Sequence, residues 1–123
     1  MLSRDHAIFT GALAVEAAHL LDDGLVGPHD GVTDVPSTLI SVAILVAAVA
    51  LYGRTPVWAR AVLAALFGLA GLTAGLEMHV IPALQDGAAG SDYSGFGHAA
   101  AGAALLALST TLAFSRKPNP QPS

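Results

Sequence analysis

Sixteen consecutive residues, Ala61 to Leu76, carry no charge, and Glu77, His79 and Ile81 follow before Pro82. A helix of about 20 such residues crosses ~30 Å of hydrocarbon, where no water is at hand to satisfy an exposed backbone, so this stretch predicts a membrane span. The span ends in ionisable groups. A carboxylate or imidazole at membrane depth is costly unless it turns toward protein or a wet cavity, so these groups dictate how the other segments must face.

The rest of the chain agrees with a membrane reading. Hydrophobic residues make up 54% of the 123 residues and charged residues 11%, about half the charged share of a soluble domain. No cysteine is present, which excludes disulfides, thiolate metal sites and cysteine nucleophiles. Five Lys and Arg against nine Asp and Glu build no basic patch for a phosphate backbone, so nucleic acid is excluded as a partner. The lipid bilayer is the expected partner.

Four spans are predicted, near residues 7–22, 36–53, 57–81 and 94–115, in one domain covering 1–117, with a disordered tail at 118–123. The first is short enough to compare with a secretory signal. Glu16 and His19 argue against a signal core, and the small-x-small candidate Ala12-Leu13-Ala14 falls inside the apolar run and not after it. The second span has no charge at all. Tyr52 and Trp58, flanking the Gly53-Arg54-Thr55-Pro56 turn, are expected at the headgroup level. In the third, Gly71-Leu72-Thr73-Ala74-Gly75 is a GxxxG, which marks a close helix contact, with a membrane partner or a second copy through Gly71 and Gly75, or reflects only the abundance of glycine in membrane helices. Ser109, Thr110 and Thr111 are expected to bond back to their own helix. The loops between spans, 22–35 and 82–94, hold aspartates and no Lys or Arg.

Arg4, Arg54, Arg60, Arg116 and Lys117 all fall at the head, the second turn or the tail. Four spans put those three places on one side, which the positive-inside rule makes cytoplasmic. The expected fold is therefore an all-α, integral membrane four-helix bundle in the cell membrane with both termini inside.

That orientation collects the ionisable groups of the spans in the outer leaflet. Glu16 and His19 close the first span, Glu77 and His79 the third, and His98 opens the fourth. Glu16, His19 and Asp23 share one helical stripe, whereas Glu77 and His79, two apart, point to opposite sides. A polar cluster of Glu16, His19, Asp22, Asp23, Glu77, His79, Asp92, Tyr93 and His98 is expected there, with Tyr93 bringing its hydroxyl to it. Its plainest role is to fasten helices together. The alternative is a cofactor. Glu16-x-x-His19 has metal-ligand character, with Asp23, Glu77, His79 and His98 as further candidates, although a di-iron bundle would show that motif twice. Haem held by two of His19, His79 and His98 is the other form of this alternative. The inner halves of the spans lack ionisable groups, so a complete proton or ion pathway is not expected. No GxSxG elbow or phosphate loop is present.

Two short stretches, His19-Leu20-Leu21-Asp22-Asp23 and Gly90-Ser91-Asp92-Tyr93-Ser94-Gly95, resemble the four-span membrane region that precedes the catalytic domain in actinobacterial membrane-anchored α/β hydrolases. The matching positions are His19, Asp22, Asp23, Asp92 and Tyr93. The chain ends at Ser123 with no hydrolase domain, so the resemblance implies a stand-alone membrane module. The expected function is a non-enzymatic, helix-packing module or accessory subunit, with a metal- or haem-binding protein or enzyme as the rival.

Overall fold

Uninterrupted runs of Ala, Leu, Val and Ile favour helix wherever water is excluded, and Gly and Pro supply the breaks. The computed structural model describes residues 2–26 and 35–115. Its helices are α1 (Arg4–Leu21), α2 (Val35–Tyr52), α3 (Val57–Gly75), the short α4 (Ile81–Asp86) and α5 (Asp92–Phe114). No strand occurs among the described residues. Three helical stretches are long and apolar enough to cross a membrane: Val35–Tyr52, Val57–Asp86 and Asp92–Phe114. The fold is thus all-helical with a membrane protein's composition. Helix α1 is not among the three; it carries Arg4, Asp5 and Glu16 within its 18 residues. The expected tail, 118–123, lies outside the described residues, as do Arg116, Lys117 and residues 27–34 of the first long loop.

Helices α3 and α5 run antiparallel along a seam of small residues. A Cβ on Gly68 would stand 3.0 Å from the Gly102 carbonyl oxygen, and one on Gly75 would stand 2.6 Å from the Ala99 nitrogen. A Cβ on Gly102 would press on Gly71 and Leu72 of the facing helix in the same way, one on Gly71 would strike the Glu16 carboxylate of α1, and one on Gly95 would enter the His79 ring. Gly71 and Gly75 are therefore buried within the chain, and the close approach that GxxxG permits is made to α5. Ser109 joins the same seam, donating its hydroxyl to the Ala61 carbonyl across the helices at 2.7 Å. This departs from the expected back-bonding, which Thr110 and Thr111 do show, to Leu106 and Ala107.

Helix α1 packs on α5 and α2 through Phe9, Leu13, Leu45 and Leu105. Tyr52 is fully buried, stacked on Phe9 with ring centroids 4.1 Å apart, so its ring faces the protein interior, whereas Trp58 is exposed. The reason lies in Arg60. Its guanidinium stands over the Tyr52 ring, donates to Asp5 Oδ2 at 3.1 Å, and caps the turn through the Thr55 and Gly53 carbonyls. One cation thereby ties α1 to the turn between α2 and α3. Helix α2 leans chiefly on α1 and leaves Leu39, Ile40, Ile44 and Val46 exposed.

Two helices end in widened π turns. Asp22–Val26 extends α1, and Leu76–Val80 links α3 to α4. In the second, the Ile81 N–H reaches back five residues to the Leu76 carbonyl. The helix consequently passes through Pro82 to Asp86, where the sequence predicts a loop from Pro82. A proline inside a regular helix removes a donor and collides with the carbonyl four residues back; a wide turn just before it puts Pro82 at the start of a fresh helical segment, where neither penalty applies.

Candidate functional site

Where α1 turns into its π extension, His19 meets the two other helical stretches that carry histidine at that depth. The His19 and His79 rings stand edge to face with centroids 4.6 Å apart, and His19 and His98 lie 4.8 Å apart at a tilt of 34°. All three are buried, at 5%, 5% and 8% exposure. Gly95 makes this possible, since a side chain there would occupy the volume of the His79 ring.

The hydrogen bonds set which imidazole nitrogens hold protons. Asp92 Oδ1 lies 3.1 Å from His79 Nδ1, and a carboxylate only accepts, so Nδ1 is the protonated nitrogen. Asp92 Oδ2 is held in turn by the Ala89 N–H at 3.1 Å. Ser94 Oγ lies 2.6 Å from Asp22 Oδ2, 3.0 Å from the Ser91 carbonyl and 2.9 Å from His19 Nδ1. A hydroxyl has one proton, and the shortest contact, to the carboxylate, takes it. His19 Nδ1–H therefore donates to Ser94 Oγ. Both His19 and His79 are left with Nε2 as the lone-pair nitrogen. Ser94 was not among the expected cluster residues, although it lies in the Gly90–Gly95 stretch quoted for the resemblance; its signal was a small hydroxyl residue at the start of a span, two positions after Asp92.

Two more of the expected cluster residues carry buried atoms with no partner among the described residues. Glu16, 3% exposed, has its Oε1 against Gly71, and His98 has its Nδ1 unpartnered. The remaining expected members lie apart. Glu77 is exposed, opposite His79 across the helix. Asp23 is half-buried, and among the described residues no side-chain hydrogen bond or ion pair draws it into the network, while its neighbour Asp22 is drawn in. Tyr93 is 66% exposed and its hydroxyl turns to the Ala88 carbonyl at 3.4 Å, not to the cluster. Among the described residues no three His, Asp or Glu side chains have their donor atoms gathered at one ligating point.

The arrangement joins three helical stretches by polar contacts from named donors to named acceptors. No family model, curated protein or solved structure matches the chain.

Proposed function

We propose that the protein is a four-span helix-packing module of the cell membrane, an accessory unit and not an enzyme, with both termini cytoplasmic and its histidine cluster in the outer leaflet. The observation that supports this is the destination of the polar groups: His19, His79, Ser94, Asp22 and Asp92 hydrogen-bond one another across α1, the Leu76–Val80 turn and α5. Polar bonds between helices in lipid are each worth about 0.6 kcal/mol, rising to roughly 1.7. They hold geometry where hydrophobic burial offers no drive. The apolar face of α2, with Leu39, Ile40, Ile44 and Val46 outward, is left for lipid or for a membrane partner. In this reading α1 is the fourth span, its Glu16 shielded by α3 and its Asp5 neutralised by Arg60.

A double-mutant cycle tests the latch. His19→Leu, Ser94→Ala and the pair are compared by unfolding in mixed micelles, and the expected coupling is about 0.5–1.5 kcal/mol. Additive losses would show that the two residues do not act together and would remove the basis for a polar latch.

A further inference from the structure

Helices α1 and α5 pass each other antiparallel and leave an open groove along their line of contact. At one end a Cβ on Gly97 would stand 3.3 Å from the Val15 side chain; Arg4 and Thr111 line the other. The half nearest Arg4 measures about 540 Å³ and the half nearest Val15 about 400 Å³, and the two share Ile8 and Ala104. Small side chains make the space. Ala7, Gly11, Ala100 and Ala104 line it and are exposed, and a Cβ on Gly11 would meet nothing within 4 Å. Unfilled apolar volume forfeits dispersion contacts, so in a membrane something shaped to the groove lies in it.

Charge narrows what that is. Arg4 is exposed, and among the described residues no carboxylate pairs with it, because the neighbouring Asp5 is taken by Arg60. One end of the groove is therefore cationic and the rest apolar. A second copy of the chain in the same membrane orientation would bring its own Arg4 to the same depth, like charge against like charge. An anionic headgroup is attracted there, and a guanidinium pairs with phosphate through two parallel N–H bonds. The length fits as well. Arg4 to Val15 is eleven residues, roughly 16 Å of helix, close to the ~15 Å of hydrocarbon in one leaflet.

We propose that the groove between α1 and α5 binds one anionic phospholipid, its phosphate on the Arg4 guanidinium and an acyl chain laid along Ile8, Gly11 and Ala104. This rests on α1 spanning the membrane with Arg4 at the cytoplasmic surface, which makes the ligand a lipid of the inner leaflet. It also gives α1, the least apolar of the four proposed spans, a counter-ion for the charge at its end.

The experiment uses the full chain in mild detergent, stripped of lipid and titrated with phosphatidylglycerol or with phosphatidylcholine of the same acyl chains, with lipid adducts read by native mass spectrometry. One lipid per chain is expected, and phosphatidylglycerol is preferred by about fivefold, the factor one basic residue contributes at an anionic headgroup. Arg4→Gln should abolish the preference and Arg4→Lys should keep most of it, whereas Arg54→Gln, outside the groove, should leave it unchanged. Gly11→Leu puts a side chain into the open groove and should remove the adduct of both lipids. If Gly11→Leu loses its helical circular dichroism, Arg4→Gln decides alone, because that exposed side chain fills no core. Equal affinity for the two lipids, a preference that survives Arg4→Gln, or adducts that persist on folded Gly11→Leu would overturn the site. So would a dimer of the native chain that Gly11→Leu dissolves, since the groove would then belong to a second copy. Binding is read without regard to which face is cytoplasmic, so its failure leaves the topology standing. Thiol labelling that reversed the topology would move the site to the other leaflet without removing it.

Discussion

Replacing Gly75 by alanine places a methyl carbon 2.6 Å from the Ala99 nitrogen and 2.7 Å from its Cα and Cβ. Ordinary contact begins near 3.4 Å, so α3 and α5 must part by roughly 0.8 Å, and the atoms met are backbone, which no rotamer change can clear. Separation at that point also loosens the neighbouring contacts at Gly71 and at Gly95, where His79 is seated. Overpacking of this kind costs about 1–3 kcal/mol, and contact with backbone places it at the upper end. Alanine returns ~1 kcal/mol through helix propensity, leaving a net loss near 2 kcal/mol. Gly11 supplies the control, because a Cβ there meets nothing within 4 Å; Gly11→Ala should stabilise by about 0.5–1 kcal/mol. Reversible unfolding in mixed micelles, followed by circular dichroism, reads both, and the two variants should differ by roughly 3 kcal/mol, more than a hundredfold in the equilibrium constant. Equal stabilities would mean that α3 and α5 do not approach along this seam, and the packing argument would fail with them.

Ser109→Ala should cost about 1 kcal/mol by removing the bond to the Ala61 carbonyl, whereas Thr110→Ala, which loses only a bond within its own helix, should be near neutral in the same unfolding assay. Asp5 lies in the first turn of α1, ahead of the apolar stretch from Ala7; burial raises its pKa, but the Ser3 hydroxyl and Arg60 outweigh this and lower it overall. A carboxyl whose folded pKa is depressed stabilises the fold above its unfolded pKa of about 4, and this contribution fades as pH falls through the lower folded value. Stability measured against pH should therefore drop more steeply below pH ~4 in the native protein than in Asp5→Asn. Single cysteines at Thr55 and Gly87, challenged in whole cells with a membrane-impermeant thiol reagent, should label at Gly87 alone; labelling at Thr55 would reverse the proposed orientation.

The helices were legible because membrane helices announce themselves by length and absence of charge, a signal that needs no knowledge of contacts. Their partners were not. Gly71 and Gly75 stood out as a motif, but the matching small residues Gly95, Ala99 and Gly102 on α5 are dispersed in an alanine-rich stretch, and only the antiparallel register brings them opposite one another. Tyr52 illustrates a different limit. An aromatic residue at a span end normally turns its ring outward, and what turns Tyr52 inward is Phe9 and Arg60, which lie 43 and 8 positions away and meet it only in the folded chain. The gathering of histidines at one depth followed from the span order. Which of their neighbours would join them did not: Tyr93 and Glu77 have the right chemistry and face outward, while Ser94 has the less conspicuous chemistry and faces in.

The two π turns give a physical reason for that division. Each begins three residues from a histidine of the cluster, at Asp22 after His19 and at Leu76 before His79. A widened turn takes up an extra residue without ending the helix, so it rotates everything beyond it relative to the regular stretch before it. After α1 this brings Gly24 so close to the buried Thr38 that a Cβ would strike its side chain, closing the polar end of the bundle over α2. After α3 it keeps His79 in line with Gly75 on the buried seam and hands the chain to Pro82 beyond it. Replacing Pro82 by alanine, a residue content in a regular helix, removes one reason for the wide turn. The expected consequence is not general unfolding but a local change at His79, read as a shifted imidazole resonance in detergent-solubilised protein, while the Gly75–Ala99 seam and overall stability are retained to within about 1 kcal/mol. An unshifted His79 signal would show that the turn is held by the cluster itself and not by the proline that follows it.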